Sequence, residues 1–163
     1  MKRAYFFLVL GLAVIIVAGH LLLSPSSISE ANPPTFPRDR LTIERADGKA
    51  IPFTIEVATT EQQHAYGLMF RHSLPQEAGM LFLFTPPQPV VFWMKNTLIP
   101  LDMLFVREDG TIAKIAPQAV PEDRTIIASG ETVSGVLEIN GGEAGQLGIK
   151  VGDKIHHPAF TAK

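Results

Sequence analysis

An all-β fold with one or two short helices is the class this 163-residue sequence predicts. Its form is a compact antiparallel β-sandwich or small barrel, set behind an N-terminal membrane helix. Three observations predict it. Beyond residue 40, about eight short apolar runs rich in aromatic and branched residues alternate with turn signals. No run is followed by a long amphipathic helix, which excludes a doubly wound α/β arrangement. At the other end, an uncharged apolar stretch directly follows Lys2 and Arg3.

That stretch, residues 5–23, spans about 28 Å as a helix, close to the roughly 30 Å hydrocarbon thickness of a bilayer. Basic residues on its short N-terminal side place that end in the cytoplasm and the rest in the periplasm or outside the cell. Residues 1–23 are therefore expected to be an inner-membrane signal anchor. The alternative is a signal peptide cleaved near Ser27–Ile28–Ser29 or Ser29–Glu30–Ala31, which leaves a soluble periplasmic or secreted protein. Residues 24–40 carry Pro25, Pro33, Pro34 and Pro37 and are expected to form an extended linker. The domain proper is expected over residues 41–160.

Composition narrows the partners. Removing Lys2, Arg3 and Glu30 from 14 basic and 16 acidic residues leaves 12 and 15, a net charge of −3 on the exported part. Charge alone gives such a domain no grip on nucleic acid or anionic lipid. With no cysteine, disulfides, thiol nucleophiles and cysteine metal sites are excluded.

The elements follow in order. Runs at 41–45 and 51–57 flank Asp47–Gly48, a hairpin turn. Thr60 and Gln63 have capping-box spacing, so a short helix is expected from Glu61 to about Tyr66, ended by Gly67. Strands are expected at 80–84, 90–95 and 101–106, the middle one separated from its neighbours by prolines. Asp109–Gly110 turns into a strand at 111–115. Residues 132–139 alternate, with Val133, Gly135, Leu137 and Ile139 on one face and Thr132, Ser134, Val136 and Glu138 on the other. A helical turn or two at 141–147 and a strand at 151–156 complete the domain. Phe82, Phe84, Phe92, Met94, Leu104 and Leu137 are the expected core.

Several motifs are linked along this stretch: Gly67–Leu68–Met69–Phe70–Arg71, Gly79–Met80–Leu81–Phe82, Phe92–Trp93–Met94–Lys95–Asn96–Thr97 and Pro100–Leu101–Asp102. Leu147–Gly148–Ile149–Lys150–Val151–Gly152–Asp153 follows near the end. In these the chain resembles the bacterial and archaeal family called domain of unknown function 192, over roughly residues 41–157. The resemblance implies a compact β-rich sandwich or barrel, often behind a signal or anchor. It implies no activity.

The densest polar cluster in the apolar centre is Trp93, Lys95, Asn96, Thr97 and Asp102, with Arg71 nearby in sequence. Two readings of Arg71, Trp93, Lys95, Asn96 and Asp102 stand side by side. In the structural one, Asn96 and Thr97 make a turn and Asp102 pairs with Arg71 or Lys95. In the functional one, Trp93 walls a pocket where a cation and an amide bind a carboxylate or a sugar. The expected function is a non-catalytic binding or interaction module for a small polar ligand or an envelope partner, with the membrane contacted through residues 5–23. The alternative is a small extracytoplasmic hydrolase using Asp102 with Lys95 or a histidine.

No cofactor or metal is expected. Met69, Met80, Met94 and Met103 sit among apolar residues, where methionine fills space. His64 with His72, and His156 with His157, lack zinc-ligand spacing. No nucleophile elbow, Ser-x-x-Lys pair or phosphate loop occurs. On paper, Ser73 with His72, Ser129 and Ser134 with Glu138, and the carboxylate pair Asp102 with Glu138 are the remaining catalytic arrangements.

Overall fold

The structure, a computed structural model, describes residues 33–160. The expected membrane helix, the cleavage sites and most of the linker lie outside them. Among the described residues no helix is long and apolar enough to cross a membrane.

Strands β1 (Arg38–Glu44) and β2 (Ala50–Ala58) form the expected hairpin. Gly48 turns it at φ 82°, and Asp47 Oδ1 accepts the Lys49 N–H. β1 starts inside the stretch read as a linker, because β2 holds that chain: the Pro37 carbonyl accepts the Val57 N–H at 2.8 Å. Helix α1 (Glu61–Tyr66) carries both bonds of the capping box between Thr60 and Gln63.

β3 (Ala78–Gln88) runs parallel to β2, a departure from the all-antiparallel expectation. A parallel pair needs a crossover of a dozen or more residues, and α1 with residues 67–77 supplies it. The expected central strand at 90–95 shrinks to β4 (Val91–Phe92). β4 pairs only with β7 (Ile127–Ala128), in a separate two-stranded sheet. It stops there because the Met94 N–H goes to the Asp123 carbonyl and a turn closes from Thr97 N to Met94 O.

β5 (Leu101–Val106) and β6 (Ile112–Ala119) make the second hairpin, turned at Asp109–Gly110. β8 (Val133–Asn140) lies between β3 and β5. Helix α2 (Glu143–Leu147), β9 (Lys154–His156) and a 3₁₀ turn at Pro158–Phe160 follow. The large sheet has the order β6-β5-β8-β3-β2-β1-β9. Its edges meet at one end, where Thr111 bridges Lys154 and the Ile155 N–H donates to the Gly110 carbonyl at 2.8 Å. The sheet is thus a curled half-barrel rather than a sandwich.

Two apolar clusters flank it. One fills the curl and draws on every strand of the large sheet, including Ile43, Phe53, Leu81, Leu104, Ile112, Leu137 and Ile155. The other lies on the opposite face, with Leu68, Met80, Phe82, Met94, Met103, Phe105 and Val136. The expected core residues divide between them: Leu104 and Leu137 inside, Phe82 and Met94 outside. Phe84 and Phe92 are only half-buried.

Candidate functional site

The second cluster is not sealed. Between the end of α1, the outer end of β3 and the chain from Val90 to Thr97 lies an open cavity of about 310 Å³. Gly67 forms its back wall. At φ 49° and ψ −133° it ends α1 in a conformation that disfavours side chains, and a Cβ there stands 3.1 Å from Phe82 Cζ. The Phe92 ring stands edge-on to Phe82, with centroids 5.1 Å apart, and Phe84 packs at 4.8 Å against His64. The His64 Nε2 lies 3.1 Å from the Ala58 carbonyl. A carbonyl only accepts, so this nitrogen carries the proton and Nδ1 is the free position.

Glu138 lies at the sheet side of the cavity. On β8 it stands opposite Met80 of β3 and Met103 of β5, both fully buried. It is 4% exposed, and among the described residues no hydrogen bond or ion pair reaches its carboxyl. Burial pushes that carboxyl up to about 8. At neutral pH it is chiefly a neutral acid with an O–H to donate.

The sequence-selected residues divide. Trp93 and Lys95 do come together on the cavity wall: the Lys95 Nζ lies 5.9 Å from the centre of the exposed Trp93 ring. Asn96 adopts φ 55° in the turn, and its carbonyl accepts the Phe70 N–H at 2.8 Å. Its Nδ2 is 3.8 Å from Met69 Sδ, so it clamps residues 67–71 to the turn. Thr97 Oγ1 donates back to the Lys95 carbonyl.

Arg71 and Asp102 do not join them. Arg71 pairs with Glu56 beside a second cavity of about 300 Å³ and lies 5.9 Å from the Phe36 ring. Asp102 is fully buried and accepts three backbone N–H groups, from Gln118 at 2.7 Å, Gly142 at 2.8 Å and Ala144 at 2.9 Å. It holds the first turn of α2 against the end of β6, and no approach to it is left for a substrate.

Of the catalytic arrangements drawn on paper, those built on Ser129 and Ser134 lose their geometry. Ser129 Oγ donates to the Glu131 carbonyl and accepts the Val90 N–H. Ser134 and Glu138 are four residues apart on one strand, about 13 Å. His156 and His157 face different β1 carboxylates, Glu44 at 2.6 Å and Asp39 at 3.3 Å. Asp153 accepts the Ala46 and Lys150 N–H groups at 3.0 and 2.7 Å, a structural duty.

Sequence reasoning placed Glu138 in paper pairings but not at the centre of a site. The available signal was a single acid in a strand otherwise free of charge.

Crystal structures similar to this chain include the following two. One is a protein of Sinorhizobium meliloti 1021, provisionally named a transcription regulator: 40% identical, TM-score 0.76, covering 77% of this chain and 98% of its own. The other is a protein of unknown function from Novosphingobium aromaticivorans DSM 12444: 45% identical, TM-score 0.71, covering 74% of this chain and 85% of its own. No curated protein matches. The sequence model of DUF192, described as "Uncharacterized ACR", matches residues 42–157, a span that contains the whole cavity, and the chain belongs to that family.

Proposed function

We propose that this protein is an exported, membrane-tethered binding module that takes a small polar ligand into the cavity beside Glu138. The observation that carries the reading is the Glu138 carboxyl: buried in an apolar strand, without a partner among the described residues, and open to about 310 Å³ of space. An unpartnered buried carboxyl costs stability, and such costs are typical of sites kept for a ligand. The volume is at the low end of the range for small-molecule sites, and the lining has their usual makeup of aromatic rings with few polar groups. Placement rests on Lys2, Arg3 and the apolar residues 5–23, with the membrane as partner through that segment.

A hydrolase built on Asp102 has no support in this geometry. Among the described residues Glu138 is the only acidic side chain on the cavity wall, and no serine lines it.

The test is a thermal-shift screen of the full chain against small polar compounds. Hits are expected to raise the melting temperature, and the rise should vanish in Ala65→Trp. Ala65 is an exposed α1 residue on the cavity wall, so a bulky ring there blocks the space and spares both cores. Shifts that survive this substitution sink the assignment. For placement, protease added to spheroplasts should digest the domain, and protection of it refutes export.

A further inference from the structure

We infer that the ligand is a small carboxylate with an apolar or aromatic body, held between the Lys95 ammonium and the Glu138 carboxylic acid. This deepens the reading above and rests on it.

The polar groups of the cavity single out that chemistry. Two of them are already committed: His64 Nε2 to the Ala58 carbonyl, and the Thr97 hydroxyl to the Lys95 carbonyl. Lys95 and Glu138 are open to a ligand; the wall also carries the His64 Nδ1 and the polar ends of Tyr66, Gln88 and Trp93. Among the described residues Lys95 has no carboxylate partner, only the Trp93 ring, and no hydrogen bond or ion pair reaches the Glu138 carboxyl. An ammonium and a neutral acid are both donors, and a carboxylate is the acceptor with one oxygen for each. A cationic ligand would meet Lys95 as a like charge, and a neutral sugar would leave that ammonium unpaired. The rings of Phe84, Phe92 and Trp93 supply the apolar wall for the rest of the molecule.

The same arrangement makes binding depend on pH. Two carboxylates cannot share a buried site unless one holds a proton, so the ligand anion binds only the protonated form of Glu138. The other titratable groups on the cavity wall are His64 and Tyr66 from α1 and Lys95 from the turn. Burial sets the Glu138 carboxyl at about 8, and above that pH the competent fraction falls about tenfold per unit.

The chain has one tryptophan, Trp93, so its emission reports on this cavity alone. Three probes of one shape separate the charges: phenylacetate, phenethylamine and phenylacetamide, titrated into the full chain. Phenylacetate is expected to change the emission saturably at about pH 6.5, and its apparent Kd should rise about tenfold by about pH 9. Glu138→Gln, which keeps a donor but cannot ionise, should bind and lose the pH dependence. Lys95→Met should weaken binding at every pH.

Tighter binding of the amine or the amide overturns the carboxylate assignment while leaving the cavity a ligand site. So does a phenylacetate affinity indifferent to pH in the wild-type chain, a result that needs no variant to fold. A pH midpoint that persists in Glu138→Gln belongs to another group and also overturns it. If none of the three probes moves either the emission or the melting temperature at about 10 mM, the carboxylate assignment falls, and the thermal-shift screen alone decides the broader reading.

Discussion

Asp102 and Glu138 stand on adjacent strands, one register step apart, and point to opposite faces of the sheet. Asp102 is opposite Ile139, and Glu138 is opposite Met103. Because successive side chains alternate, that single step sends one acid toward α2 and the other toward the cavity. Asp102 is surrounded by backbone donors, and Glu138 has none among the described residues. The two acids differ in role for that reason.

Asp102→Asn should destabilise the domain by about 2–4 kcal/mol, since an amide leaves at least one of three buried N–H groups facing another donor. Lys95→Met should leave the urea midpoint nearly unchanged. The double mutant should show additive losses within about 0.5 kcal/mol, because the two residues share no partner. A larger coupling means that Lys95 and Asp102 do meet.

Glu138 sets the pH dependence of stability. Its folded carboxyl, at about 8, lies above the ordinary value of 4.5. Between these two values the folded state holds a proton that the unfolded state has released, so stability falls as pH rises. The expected slope is about 1 kcal/mol per pH unit, levelling off above pH 8. Glu138→Gln should remove this slope and exceed the wild type in stability at about pH 8. Urea melts of both proteins from about pH 5 to 9 check it; parallel pH profiles refute the assignment. The lowered carboxyls of Asp39, Asp109, Asp123 and Glu131 act at more acid pH and with opposite sign.

What was legible in the sequence was local. The capping box at Thr60 and Gln63 and the hairpins at Gly48 and Gly110 depend on neighbours within a few residues, and all three form as read. The parallel pairing of β2 with β3 was not legible, because a short helix and a loop suffice for the crossover and leave no long amphipathic signature. Residues 90–95 misled because their apolar side chains cover one face of the sheet from a loop and a two-residue strand. Asp102 looked available for an ion pair because its donors are backbone N–H groups from positions 118, 142 and 144, which no side-chain pattern announces. Glu138 lay on the mixed face of an alternating strand. Only the fold shows both faces of β8 buried.

Arg71 and Glu56 form a half-buried ion pair, with 30% and 22% of their side chains exposed. A double-mutant cycle with Arg71→Met and Glu56→Gln should give a coupling of about 0.5–1 kcal/mol that shrinks with added salt. The parallel cycle of Arg71 with Asp102 should give none. Coupling to Asp102 of equal size would place the arginine elsewhere.

Gly67 joins backbone conformation to the shape of the cavity. At φ 49° and ψ −133° a side chain is strained, and an added Cβ stands 3.1 Å from the tip of the Phe82 ring. That ring is 2% exposed and packed edge-on against Phe92, so it has little room to yield. Gly67→Ala is therefore expected to cost about 1–3 kcal/mol. Gly130 supplies the comparison: its φ is 82°, also positive, but nothing lies within 4 Å of an added Cβ. Gly130→Ala bears only the conformational cost, about 1 kcal/mol. The difference between the two urea midpoints reads the Phe82 contact together with the less favourable ψ at Gly67. Because Phe82 lines the cavity, Gly67→Ala should also shift the emission of Trp93, whereas Gly130→Ala should not. Equal midpoints and unchanged emission in both variants would mean that the back wall at Gly67 has space the structure does not show.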